Sequence, residues 1–340
     1  MKSTKRLFVI ILLAFSSQIL VSCGKSNVRV IKLASSLSPS HPVTKAMEYM
    51  AKQLKKKSDG KLQIKIYPSG QLGDEREALE LLQIGSIGMT KVSAAAVESF
   101  NPAFKAVDMP YIFKNDEQRF KVLKSKIGKS LLLGSQKYWM RGLCYYDAGS
   151  RSFYSSDKPI RKPSDLKGMK IRVQNSDIAV QMVQQLGGSA TPVPFGELYS
   201  ALQQGVVDGA ENNPPSLYFS RQYEVSKYYT LDKHTSVPDV LFISTILWNH
   251  LNSQQQKWIQ EAANESAKYE RKLWAQLTKK SLKEIKESGV KIIHPDKSLF
   301  AKKVQPMYEK YKTEHPDLYK KIQAIIQMQN DSLSAKNDSL

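Results

Sequence analysis

The chain has 340 residues, 41% of them hydrophobic, and 51 Lys and Arg against 31 Asp and Glu give a formal net charge of +20. Such a length and apolar fraction make one or two domains with real cores and exclude wholesale disorder. Two cysteines exclude a disulfide-stapled scaffold or cysteine-rich zinc module, and a single apolar segment excludes a multi-span permease.

That segment opens the chain. Lys2, Lys5 and Arg6 precede the apolar stretch 7–15, which is about half the roughly twenty residues needed to span a bilayer. Residues 1–22 therefore read as a signal peptide. Leu20-Val21-Ser22-Cys23 resembles a lipobox, which makes Cys23 the expected lipidated N-terminus; ordinary cleavage beside an incidental cysteine is the alternative. Export decides the meaning of the charge. An exported protein meets no genome, so no nucleic-acid partner is expected. The lysines at 52–57 lie on a helix face, solvated, with a mild field left over for anions.

Further along, Val43, Met47, Met50, Ala51 and Leu54 recur at helical spacing. Leu62, Ile64 and Ile66 alternate with polar residues, as a strand requires. A helix over 75–83, a turn at Ile84-Gly85 and a strand over 87–92 follow. Cys144 falls in a strand-like run and is expected to be a buried, inert thiol. Met169, Ile171 and Val173 form another alternating strand. This βαβ order predicts an α/β architecture. Residues 82–88 are echoed by 202–208, each a helix end, a glycine and a strand start; two similar lobes or a chance match of a common unit would give this. Ser253 with Gln256 fits a capping box opening a helix to Gly289, roughly 50 Å long at 1.5 Å per residue. Such a helix either lies across two lobes or breaks near 277–281. The polar end is expected to be a disordered tail, 327–340. The lobes are expected to comprise 23–149 with 238–277, and 150–237 with 278–326.

Catalytic signatures are missing. Gly128-Lys129-Ser130 lacks the glycine that a phosphate loop needs at Leu123. Histidines 41, 234, 250, 294 and 315 contain no pair at metal-ligand spacing. No metal, cofactor or enzymatic activity is expected.

The informative polar residues sit at strand and loop ends. Arg172 lies between Ile171 and Val173. A guanidinium beside a core must find an anion, either an internal carboxylate or a ligand carboxylate that its planar fork fits. Arg151 follows a Gly-Ser turn, as a second clamp or a solvated loop residue. Asn212, in Asp208-Gly209-Ala210-Glu211-Asn212-Asn213-Pro214-Pro215, can donate and accept or simply serve a turn. Phe195, between Pro194 and Gly196, stacks on a ligand or fills a core. Lys91 ends its strand, where solvation is the bland reading. Glu75 occupies a first helical turn, where the helix dipole alone would explain it.

Several ordered motifs together resemble one family. Gly70-Gln71-Leu72-Gly73-Asp74-Glu75 is similar to its Gly-Gln-Leu-Gly-x-Glu signature. Segments 162–173 (KPSDLKGMKIRV), 198–212 (LYSALQQGVVDGAEN) and 223–234 (YEVSKYYTLDKH) also match. Across about 36–263, the chain resembles solute-binding proteins of tripartite ATP-independent periplasmic (TRAP) transporters. The resemblance implies a two-lobed flytrap, a long helix bracing both lobes, and a ligand carboxylate held by Arg172 with Arg151. It matches Asn212, Phe195 and Glu75 to ligand contacts, and His41, in Ser40-His41-Pro42, to a first-loop contact. Lys91 joins Asn212, Glu75 and His41 as a candidate for hydroxyls or the ligand's far end. Ser93 and Ala96 stand where some sialate-binding members carry charged residues, which argues against a sialic acid. The stretches 211–216 and 231–235 look most like hexuronate-binding members.

The expectation is thus a periplasmic protein, lipid-anchored at Cys23, that takes a sugar acid such as glucuronate or galacturonate. Its partners would be that small carboxylate, the TRAP membrane subunits and the membrane, reached through the lipid. The alternatives are a C4-dicarboxylate binder of the same family, a sugar-acid-processing enzyme and the ligand module of a sensor.

Overall fold

A computed structural model describes residues 28–337, with side chains through 331. The signal-peptide reading and Cys23 lie outside the described residues. The strands are β1 (Arg29–Ala34), β2 (Leu62–Tyr67), β3 (Met89–Ser93), β4 (Met140–Tyr146), β5 (Arg151–Ser155), β6 (Lys170–Val173), β7 (Ser189–Pro192), β8 (Gly209–Asn212), β9 (Tyr228–Thr235), β10 (Asp239–Ser244) and β11 (Lys291–Ile293). They form two sheets, ordered β2-β1-β3-β10-β4 and β11-β9-β5-β8-β6-β7.

The two sheets repeat one plan. In the first, β1 pairs parallel with β2 and β3, and β10 turns antiparallel against β3 and β4. In the second, β6 pairs parallel with β7 and β8, and β5 turns antiparallel against β8 and β9. The sequence echo falls at equivalent places. Helix Glu75–Gln83 ends before Gly85 (φ 75°) and leads to β3; helix Leu198–Gln203 ends before Gly205 (φ 69°) and leads to β8. Both glycines hold the left-handed conformation that ends a helix at little cost.

The chain crosses between lobes after β4 and again after β9. These crossings touch through Ser150 Oγ and Ser236 Oγ at 3.0 Å. A third crossing is helix Ser253–Glu287, continuous through 277–281. It packs on helix Pro42–Lys57 and β4 in the first lobe and on helix Pro214–Phe219 in the second. Its cap lies one residue before the expected one: Asn252 Oδ1 accepts from Gln255 N and Gln255 Oε1 accepts from Asn252 N, at 2.9 and 3.1 Å. Asn and Ser are both good N-caps, so residue type alone did not separate them.

The expected tail is a second correction. Helix Pro316–Asn337 runs through 327–337 and packs against helices Asp116–Lys124 and Lys126–Gly134 of the first lobe. Gln329 is buried and bonds Ile112 O and Lys114 N. Ile322 and Ile325 supply the apolar anchor, and the polar residues beyond them continue the helix. Thus the last helix belongs to the first lobe, whereas helix Lys297–Glu314 packs on the second, against helix Asp177–Leu186 and β9. Cys144 is buried in β4, where burial raises its thiol pKa, the inert state expected. No described helix is long and apolar enough to cross a membrane.

Candidate functional site

In α/β sheets, ligand crevices open beyond the carboxyl ends of parallel strands. Here β3 ends at Ser93, β6 at Val173 and β8 at Asn212, and a cleft of about 540 Å³ opens between them. Arg172, Arg151, Asn212, Glu75, Lys91, His41 and Phe195 all line it. Hydrogen bonds cross it on two sides, from His41 Nε2 to Ser216 Oγ at 3.4 Å and from Ser93 Oγ to Gln174 Oε1 at 3.4 Å.

The two arginines differ. Arg172 is 2% exposed, with a buried Nη1 that lacks a hydrogen-bond partner. Its Nε donates to Val193 O at 2.8 Å, and it makes no ion pair among the described residues. With no carboxylate in ion-pair reach, the internal-pair reading of Arg172 does not hold, and burial lowers its pKa although Glu211 pulls the other way. Arg151 carries that pair instead. Its Nε and Nη2 donate to the Glu211 carboxylate, Nη2 also to Glu211 O at 2.8 Å, and Nη1 to Asn212 Oδ1 at 3.0 Å. The solvated-loop reading of Arg151 is overturned: it is buried, lines the cleft and has each guanidinium nitrogen bonded within the protein.

Behind Arg151 lies a charged chain that sequence reading missed. β9 bulges against β5, so Asp232 Oδ1 accepts from Phe153 N and His234 turns inward. His234 Nδ1 lies 2.7 Å from Asp232 Oδ2, and Nε2 3.5 Å from Glu211 Oε2. Burial opposes charge on His234, but the two carboxylates outweigh it and hold its pKa up at about 9. Burial likewise opposes charge on Glu211, and Arg151 with His234 holds it down at about 2. The spacing of Asp232 and His234 was the available signal.

This network fixes Asn212. Its Oδ1 accepts from Arg151 and from Asn213 N at 2.9 Å, so the amide orientation is set and Nδ2 is left to donate. The first lobe supplies a different wall. Lys91 is 2% exposed, its Nζ 3.2 Å from Glu75 Oε1 and 3.2 Å from Asp239 Oδ2. It sits within β3 and is buried, against the bland reading of a solvated strand end. Glu75 also accepts from Ser93 N at 3.0 Å, more than dipole compensation. Asp239, a carboxylate opening the apolar strand β10, was missed.

His41 caps helix Pro42–Lys57 through Nδ1 to Val43 N at 3.3 Å, and its ring lies 5.9 Å from Trp274 of the bridging helix. Burial, then Lys91, lowers its pKa to about 3, which keeps it neutral. Phe195 sits half-buried in a short turn, packed against both lobes. Among the described residues no three His, Cys, Asp or Glu are grouped to hold a metal.

The bacterial extracellular solute-binding protein family 7 (DctP) model matches residues 33–314. A solute-binding protein of Chromohalobacter salexigens is 36% identical over 82% of this chain and 84% of its own length. A TRAP periplasmic solute-binding protein of a Bradyrhizobium species, solved with galacturonate, superimposes with a TM-score of 0.85 at 36% identity, covering 88% of this chain and 100% of that one. A second, from Chromohalobacter salexigens with D-glucuronate, has a TM-score of 0.85 at 34% identity, covering 88% and 99%.

Proposed function

Because the chain belongs to the family 7 extracellular solute-binding proteins of TRAP transporters, we propose that its cleft captures a hexuronate by the carboxylate and delivers it to membrane subunits. The observation that carries this reading is Arg172, a buried guanidinium in the cleft whose Nη1 has no protein acceptor. Leaving such a donor unmade costs energy, which a bidentate ligand carboxylate recovers. Asn212 Nδ2, oriented by Arg151, then donates to the same end of the ligand. Phe195 covers the sugar ring, and Glu75, Lys91 and His41 face its hydroxyls. A micromolar ligand needs about −8.2 kcal/mol, within reach of several charged hydrogen bonds at roughly 1.5–3 kcal/mol each.

The ligand touches both lobes, so it favours the shut state over an open one by its differential contacts. The site performs binding and release without chemistry, so the purified protein returns glucuronate unchanged. Capture takes place outside the cytoplasm, with the protein held to the membrane by lipid on Cys23. Replacing Cys23 with Ala should release it into the soluble fraction; retention in the membrane fraction would remove the anchor.

Thermal melting against uronates, aldonates and C4-dicarboxylates tests the function. The expected result is a melting temperature that rises with added glucuronate or galacturonate by mass action. No shift from any acid would overturn the reading, and a shift from C4-dicarboxylates alone would replace the ligand class.

A further inference from the structure

The cleft is electrically lopsided. Arg172, on the second lobe, has no carboxylate of its own, and Arg151 is matched by Glu211. On the first lobe, Lys91 faces two carboxylates, Glu75 and Asp239, each at 3.2 Å. One cation between two anions leaves that wall net negative. Burial disfavours charge on Lys91, and the two carboxylates outweigh it and raise its pKa, so the ammonium stays charged, with two of its three N–H donors already given to carboxylates. The bonds use Oε1 of Glu75 and Oδ2 of Asp239, so one oxygen of each carboxylate stays available to accept from a hydroxyl.

We infer that the Glu75–Lys91–Asp239 group is a specificity determinant: it admits the neutral, hydroxyl-rich end of a sugar monoacid and rejects a second carboxylate at that end. Asp239 is the residue that decides the sign. With Glu75 alone, Lys91 would be balanced one to one; Asp239 tips the wall to negative. A ligand with one carboxylate on Arg172 and hydroxyls toward the first lobe satisfies both ends. An aldaric acid, carboxylated at both ends, puts its second anion against two partly buried carboxylates held in place by Lys91, where like charges repel. The inference rests on the proposed sugar-acid function and narrows its ligand class.

Isothermal calorimetry with D-glucuronate and D-glucarate tests it on the wild type, Asp239→Asn and Glu75→Gln. The wild type should bind the uronate at least 100-fold more tightly than the aldarate. Each variant frees part of the Lys91 charge and should narrow that ratio at least tenfold, chiefly by improving glucarate. Glu75 is the less buried of the two, so Glu75→Gln keeps the test available if Asp239→Asn fails to fold. Equal wild-type affinity for both acids, or an unchanged ratio in the folded variants, overturns the inference. Failure of the wild type to bind any sugar acid overturns the proposed function instead.

Discussion

Arg151 and Arg172 are both buried, both on strands of the second sheet, and both at the cleft, yet their surroundings make them opposites. Glu211 faces Arg151 with both oxygens, and His234 with Asp232 backs that pair. The guanidinium of Arg151 is therefore raised in pKa despite burial, whereas burial lowers that of Arg172. Burial of a cation is therefore not in itself a sign of function. A cation whose counter-charge the fold supplies is architecture; one left without it, as Arg172 is, is the place to look for a ligand's anion.

The sharpest blow to this contrast comes from Glu211→Gln. Removing that charge leaves Arg151 and a protonated His234 buried without it, which should cost about 3–5 kcal/mol of stability in denaturant unfolding. A loss under 1 kcal/mol would mean that Arg151 is no better matched than Arg172.

Alkaline pH gives a smaller effect. The folded pKa of His234, about 9, exceeds its ordinary 6.5. Its contribution is thus fully present below pH 6.5 and is lost as pH rises through 9. Between pH 7 and 10 the wild type should lose roughly 1–3 kcal/mol from this group, and His234→Gln should flatten that slope. Parallel slopes in the two proteins would remove His234 from the charged chain.

The smallest stability effect is expected at Arg172. Arg172→Met removes an unmatched buried charge and one hydrogen bond to Val193 O. Its ligand-free stability should stay within about 1 kcal/mol of wild type. A loss as large as that of Glu211→Gln would show that some internal partner does neutralise Arg172.

Much of this was legible in the chain. Alternation at 62–66 and 169–173 marked strands because one face of each is buried, and the glycines at 85 and 205 marked two helix ends at equivalent places. All seven expected contact residues reached the cleft because strand ends and the loops beyond them converge there. Which arginine would be matched was not legible. Glu211 stands next to Asn212 in sequence, but its register opposite β5, two residues from Arg151, is set by strand pairing. Asp239 was hidden for the same reason: it reaches Lys91 only because β10 runs antiparallel beside β3. The last helix was missed because buried isoleucines, not the polar residues that follow, decide its course.

If Arg172 is the group that takes a ligand's carboxylate, D-glucuronate and D-glucuronamide, compared by calorimetry on wild type and Arg172→Met, should tell the two proteins apart. The wild type should prefer the acid by at least 100-fold, about 2.7 kcal/mol, and the variant should bind acid and amide alike. A variant that keeps the wild-type preference would contradict that role.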